Sequence, residues 1–321
     1  MSQYIARRLL LVIPMLFLIT LVNFTMQNLA PGDPLNYLVP VTMRAELKMN
    51  EQDIAALRHR FGLDRPIVTR YFIWLGQVVR GNFGYSVIER RDVSDMLVER
   101  LPNTLELAFL SMILANFWAT LAGIVAALKQ YSKTDYVLTV ISFALSGIPQ
   151  FFTGLVFILI FSVHLRWLPL AGTRTPNMPF DVVDHIKHLL MPVIVLSLPA
   201  ASVLRQARSA MLEEMNKDYA TVARAKGLTE RVVNYRHVLR NALLPLVTLY
   251  GLQLPALIAG SVIVETIFAW PGMGKLGVDA AITKDYPTLM AITTVTAIMV
   301  LSANLITDVA YAWVDPRIRY Q

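Results

Sequence analysis

The sequence predicts an all-α, polytopic membrane protein with six transmembrane helices, on three observations. Hydrophobic residues make up 55% of the 321 positions and charged residues only 16%, with a mean hydropathy of +0.52, outside the range of soluble domains. Six apolar runs approach or exceed the roughly twenty residues needed to cross ~30 Å of hydrocarbon. Lys and Arg collect in alternate connections between those runs, the bias that orients a polytopic chain. The runs are continuous rather than alternating, so helices are expected and not a closed barrel.

The predicted spans cover residues 9–28, 104–128, 137–163, 189–204, 242–268 and 288–314. The first follows Arg7 and Arg8, but its apolar part is longer than a signal-peptide core and no small-x-small site precedes Pro31, so it reads as a retained anchor. The fourth is the shortest and carries Pro192 and Pro199. Pro149, Pro199 and Pro255, with Gly147 and Gly260, are expected to interrupt three spans. Broken helices of this kind line cavities or move.

With the N-terminus inside, the inner segments hold Arg7, Arg8, Lys129, Lys133, eight basic residues from Arg205 to Arg240, Arg317 and Arg319. The short outer loops hold Arg166, Arg174, Lys187, Lys275 and Lys284. Both termini are therefore expected inside. The net charge of +7 calls for no nucleic acid, because a basic face against anionic membrane lipid accounts for it.

Between the first two spans, residues 29–103 are too long for a linker and read as a small external helical subdomain. Asn50 can cap a helix starting at Glu51, with Asp53 in its first turn, Ile54, Leu57 and Phe61 as its stripe and Gly62 ending it. Pro66 suits the first turn of a second helix carrying Tyr71, Phe72, Leu75 and Val79. Gly81-Asn82-Phe83-Gly84 turns the chain, and a third short helix with Met96, Leu97 and Leu101 leads to the second span.

Residues 218–245 form a basic, mostly polar stretch that reads as two short helices meeting at Gly227. Tyr219, Val222 and Ala223 can share one face before the break, and Val232, Val233, Tyr235 and Val238 supply apolar surface after it. Gly227 can end a helix in the left-handed conformation, and Thr229 can cap the next. A bent, partly apolar helical pair at a membrane surface suits a soluble partner; a plain basic loop is the other reading.

Catalytic signatures are missing: there is no HExxH, GxSxG or GxxxxGK[ST]. Residues 271–276, PGMGKL, resemble a phosphate loop only faintly, since the spacing is wrong and no Ser or Thr follows Lys275, so a turn is expected. Cys is absent, which removes disulfides, thiol nucleophiles and thiolate metal sites. Of five His, only His185 and His188 are close; an interfacial helix start and a metal pair are both compatible with them, the former favoured. Glu265 and Asp308, with Asn304 four residues before Asp308, are polar groups inside apolar runs. Such groups serve interhelical hydrogen bonding or ion coupling, and both readings stay open, a proton-coupled carrier included.

The stretch at 218–245, DYATVARAKGLTERVVNYRHVLRNALLP, resembles the EAA loop of permease subunits in binding-protein-dependent ABC importers, in the form of the dipeptide, oligopeptide, glutathione and nickel group. YIARRLLLVIP at 4–14, APGDP at 30–34, FGLDRP at 61–66, GNFGYS at 81–86, RLPNTLELA at 100–108, and VETIFAWPGMGKLGVDA, KDYP and VDPRIRY toward the C-terminus agree in order. The resemblance thus covers nearly the whole chain. Thr221-Val222-Ala223 stands where Glu-Ala-Ala names the motif, so a Glu-based contact is not carried over.

The resemblance implies the type I importer permease fold in the cell (inner) membrane. It divides the chain into an anchor at 1–28, an external subdomain at 29–103, a five-helix permease core at 104–314 with the EAA loop at 206–241, and a cytoplasmic tail at 315–321. It implies a second homologous permease, two ATPase subunits that bind ATP and Mg, an extracytoplasmic binding protein, and no catalysis, metal or cofactor in this chain. Tyr219, Ala220, Val222, Ala223, Arg224, Ala225, Lys226, Gly227 and Leu228 are the expected contact with the ATPase. Short peptides are the expected substrate, with nickel or glutathione the alternatives. An unassisted nickel ion would favour imidazole or thiolate ligands along its path, and this chain has no Cys and only His164 and His237 near span ends.

Overall fold

A computed structural model describes residues 2–29, 35, 48–60 and 63–314 of the chain. Nearly all of it is helix. Helix α1 is Ser2–Leu29, α2 is Glu51–Arg60 and α3 is Ile67–Val79. A two-stranded antiparallel ribbon follows, β1 (Tyr85–Ser86) and β2 (Arg91–Asp92), in register Tyr85↔Asp92 and Ser86↔Arg91. Then come α4 (Val93–Leu128), α5 (Lys133–Gly147), α6 (Gln150–Phe157), α7 (Val182–Ser197) and α8 (Ala201–Met215). Helices α9 (Asp218–Ala225), α10 (Leu239–Ile267), α11 (Met273–Thr283) and α12 (Tyr286–Val314) complete the order.

Four helical stretches among the described residues are long and apolar enough to cross a membrane: Leu10–Leu29, Val93–Leu128, Val182–Met215 and Tyr286–Val309. The pair Lys133–Gly147 and Gln150–His164 passes that test only jointly and is bent by 103°. The interruption expected at Gly147 and Pro149 within the span at 137–163 is thus a sharp bend between two helices. Pro149 pushes the residue before it out of the helical region, and Ile148 is extended at φ −83, ψ 126. The predicted fourth span is also longer than expected: α7 and α8 join through a tight turn at Leu198–Ala200 that holds Pro199. Pro255 does not interrupt α10, which is helical for 29 residues with Pro245 and Pro255 inside it.

The expected third helix of the outer segment is not separate. Met96, Leu97 and Leu101 lie on α4, which runs 36 residues through Pro102, so residue 103 marks no structural break. An interior proline costs about 3 kcal/mol, but Val93, Met96 and Leu97 are buried against Met273, Leu276, Ala291 and Ile292. That packing holds the helix together across the proline.

The caps of the segment follow the sequence more closely. Asn50 Oδ1 accepts from Asp53 N at 2.8 Å and Asp53 Oδ2 accepts from Asn50 N at 3.0 Å, a reciprocal capping box. Phe61 and Gly62 lie outside the described residues. Pro66 stands immediately before α3 rather than inside its first turn. Gly81 and Gly84 adopt φ +79 and +93, which lets the turn form without a Cβ penalty.

The bundle packs α4 on α8, α10 on α12, and α1 on α12. At Gly123 of α4 a Cβ would lie 2.5 Å from the Leu204 carbonyl oxygen and 2.6 Å from Ala207 Cβ. Only glycine lets these two backbones approach so closely, the small-residue device of membrane helices.

Candidate functional site

Two places stand out, at opposite ends of the long helices. The first is α9 together with the bend that leads from it into α10. Helix α9 ends at Ala225, and Gly227 takes φ +80. A Cβ at Gly227 would meet nothing within 4 Å, so the backbone angle alone requires glycine there. Thr229 has the extended N-cap conformation but its side chain accepts no capping bond. The chain then passes through Glu230–Val232 and a widened turn, Val233–Val238, into α10.

One face of α9 is closed. Ala220 and Ala223 are buried with Ile124, Ala127, Met211, Val233, Val238 and Ala242, which anchors the short helix on the ends of α4, α8 and α10. The expected face of Tyr219, Val222 and Ala223 is thus divided. Ala220 and Ala223, three apart, point inward, while Val222 is 51% exposed. Tyr219 is half-buried and donates to Glu214 Oε2 at 2.6 Å; burial pushes its phenol pKa up.

Arg224 is turned back as well. Its Nε donates to Glu230 Oε1 at 2.9 Å and its Nη1 to the Met215 carbonyl at 3.1 Å, strapping the two sides of the Gly227 bend. Val222, Ala225, Lys226, Gly227 and Leu228 remain exposed, together with Val232 and Tyr235 beyond the bend. This is a braced, bent ledge with apolar knobs and basic neighbours.

The second place centres on Glu265, fully buried near the end of α10. Its Oε1 accepts from Thr104 Oγ1 at 2.8 Å and its Oε2 from Lys275 N at 3.0 Å. Thr104 Oγ1 in turn accepts from Met273 N at 2.7 Å. The first N–H groups of a helix have no partner within it, and here side chains of α4 and α10 satisfy two of those of α11. A carboxylate is also the favoured charge at that end of a helix. The phosphate-loop-like residues 271–276 therefore form the start of α11, with Glu265 occupying the place an anion would take.

Small residues make the clamp fit. A Cβ at Gly272 would lie 2.4 Å from the Glu265 carboxyl carbon, and one at Gly274 would lie 2.6 Å from Val262 Cα. Trp270, fully buried, donates from Nε1 to the Asn103 carbonyl at 3.0 Å, and Asn103 Nδ2 donates to the Pro271 carbonyl at 2.7 Å. Asp308 makes an ion pair instead, 3.0 Å from Arg8 Nη1 of α1. Asn304 is exposed and lines a small cavity of about 230 Å³ with Arg8 and Asp308. Asn304 and Asp308 therefore share one cavity, and Glu265 stands apart from them.

His185 and His188 do not face a common point. His185 is hydrogen-bonded through Nδ1 to the Thr173 carbonyl and through Nε2 to Glu106 Oε1, each at 2.9 Å, and His188 Nδ1 lies 2.8 Å from the Asp184 carbonyl. They sit in the first turns of α7.

Sequence reasoning missed two polar clusters whose members are far apart along the chain. Asp135, buried at the start of α5, accepts two bonds from Arg208 of α8, at 2.7 and 2.8 Å. Asp285 accepts from Ser86 of β1 at 2.5 Å and from Thr288 Oγ1 at 2.7 Å, clipping the ribbon to the start of α12. The signal available was a charge beside an apolar run in each case, without any indication of its partner. A larger cavity, about 730 Å³, lies between α1, α3, the ribbon and the head of α12.

Residues 1–108 match the N-terminal family of the binding-protein-dependent transport system membrane component. Residues 119–320 match the binding-protein-dependent transport system inner membrane component. The chain belongs to this family. Curated relatives of this permease family align along its whole length. The oligopeptide transport system permease protein AppB of Bacillus subtilis is 44% identical over 100% of both chains. The di/tripeptide transport system permease protein DppB of Pseudomonas aeruginosa is 39% identical, again over 100% of both. The glutathione transport system permease protein GsiC of Escherichia coli is 35% identical over the same coverage. Among solved structures, an inward-facing MetNI methionine ABC transporter aligns with a TM-score of 0.51 and 18% identity, covering 67% of this chain and 96% of that one. That likeness supports the permease fold of the helical bundle.

Proposed function

We propose that this permease is one half of the membrane pathway of an ATP-driven importer of di- and oligopeptides. It pairs with a second homologous permease, two cytoplasmic ATPase subunits that bind ATP and Mg, and an extracytoplasmic binding protein. The observation that carries this reading is the braced ledge of α9 in a chain aligned end to end with peptide permeases. Ala220, Ala223 and Arg224 fix the ledge to the bundle, and Val222, Ala225, Lys226 and Leu228 are exposed for the ATPase. Closure of the ATPase pair then moves α4, α8 and α10, to which the ledge is packed. Energy enters through differential contacts in two states.

On this reading six spans cross the membrane, α6 and its continuation completing the third and α10 supplying the fifth, with both termini cytoplasmic. Helix α2, the ribbon and α11 then lie on the extracytoplasmic side. A proton-coupled carrier is disfavoured by the carboxylates themselves: Glu265 is held by fixed donors and Asp308 by Arg8.

The test is uptake by liposomes holding the complete transporter and its cognate receptor. Labelled di- to pentapeptides should enter only with ATP, and equally with or without a proton gradient. Glutathione, and nickel with and without a chelator, form the competing arms. Nickel uptake that peptides fail to compete, or peptide uptake that collapses with the proton gradient alone, would overturn the reading.

A further inference from the structure

Helix α3 is 13 residues long, about 20 Å at 1.5 Å per residue, and so too short to span a membrane. Yet it is fixed to the interior of a span. Tyr71 is 2% exposed; its hydroxyl lies 2.9 Å from Thr20 Oγ1 and 3.3 Å from the Phe17 carbonyl oxygen. Phe17 and Thr20 belong to the stretch Leu10–Leu29, and Thr20 is about 14 Å below its end at 1.5 Å per residue. The Tyr71 ring packs on Phe17 and Phe24 with centroids 5.7 and 5.5 Å away, and Trp74 packs on Phe24 at 5.6 Å.

Helix α3 is thus held beside the interior of α1, whose 20-residue apolar stretch is long enough to cross a membrane's hydrocarbon. Its outward residues match that solvent: Val68, Phe72 and Val79 are 63%, 56% and 79% exposed, and no charged residue interrupts them. The one charge of the helix, Arg70, reaches the other way, its Nη2 donating to Asn28 Oδ1 at 2.6 Å near the end of α1. That is how a basic side chain keeps its head at the interface while its helix lies deeper.

We infer that α3 is embedded in the membrane leaflet that holds the C-terminal half of α1, with lipid acyl chains against Val68, Phe72 and Val79. The segment between the first two spans is then a membrane-interface module and not a wholly aqueous subdomain. The inference rests on α1 crossing the bilayer and is independent of the role of α9, so a failure of peptide transport leaves it standing.

The test uses the complete transporter in liposomes. The chain has no Cys, so a single Cys at Val68, Phe72 or Val79 can carry a nitroxide label, with Met178→Cys, in the loop before α7, as the aqueous reference. Collision rates with dissolved oxygen and with a water-soluble nickel chelate are read by power saturation. At all three α3 positions oxygen should win, and at Met178 the nickel chelate should. Nickel collision on α3 equal to that at Met178 would place the helix in water and overturn the inference. Protection from both reagents would mean that protein covers α3, such as the second permease, and would overturn it equally.

Discussion

Thr104 Oγ1 donates to Glu265 Oε1 at 2.8 Å, a buried bond between side chains 161 residues apart. Through it α4, α10 and the start of α11 share one hydrogen-bonded centre, because Thr104 also receives Met273 N and Glu265 receives Lys275 N. The arrangement explains a carboxylate in an apolar run without any transported proton. Its net effect is to close the end of the bundle that carries α11.

Glu265→Ala leaves the Lys275 N–H and the Thr104 hydroxyl without their acceptor, at about 1–3 kcal/mol for each unsatisfied group. The purified complex should unfold at a clearly lower temperature, with Glu265→Gln intermediate. An unchanged Tm for Glu265→Ala would show that the carboxylate is not structural. Gly272→Ala should act in the same direction, since its Cβ would meet the Glu265 carboxyl carbon at 2.4 Å.

Asp135 and Arg208 form a two-bond ion pair with the carboxylate side chain 4% exposed. Removing one partner leaves the other without its counter-charge. The cost is less than the ~3–5 kcal/mol of a fully buried pair, because Arg208 is 27% exposed and Asp135 keeps the Tyr131 N–H at 3.0 Å. Asp135→Leu and Arg208→Leu should each destabilise strongly, and the double variant should recover part of the loss. Strictly additive losses in thermal unfolding would mean that the two residues do not act as a pair.

The helical bundle was legible in the sequence because apolar runs of span length are a local property, and so were the Asn50 cap and the Gly227 bend. What was not legible depends on contacts. A separate short helix was expected before the span at 104, yet α4 runs on through Pro102 because Val93, Met96 and Leu97 find partners on α11 and α12. Pro149 and Pro255 look alike in sequence, but the chain bends by 103° at Pro149 while α10 continues past Pro255. At the site, the basic stretch around Gly227 was visible, but burial of Ala220 and Ala223 and the inward turn of Arg224 depend on packing against α4 and α8. Helix α11 was overlooked because its start resembles a turn, although Met273, Leu276 and Ala280 repeat at helical spacing and are buried.

Gly227→Val should uncouple the transporter. With φ at +80 and open space around the Cβ position, the cost is backbone strain alone, about 1–3 kcal/mol, and it falls at the bend. ATP hydrolysis should persist while peptide uptake falls, and Gly227→Asn should retain more uptake because Asn tolerates the left-handed region better. Normal receptor-stimulated transport by Gly227→Val would remove the bend from the coupling path.

The proposed orientation is tested by labelling intact cells with an impermeant thiol reagent. Met178→Cys and Glu51→Cys, both exposed, should react, and Lys226→Cys should not. Thr175 is a poorer probe because its N and Oγ1 hold Asp184 at 2.7 and 2.8 Å. Labelling at Lys226 from outside would reverse the layout.

The most direct test of the account is cross-linking from Val222, a large apolar side chain of α9 that is 51% exposed. In inside-out vesicles holding the whole transporter, Val222→Cys carrying a short bifunctional reagent should join to an ATPase subunit, in a yield that changes when ATP is trapped. Ala220→Cys, buried against α4 and α10, should give none. If Val222→Cys yields no ATPase adduct while transport remains intact, α9 is not the docking helix and the central claim is wrong.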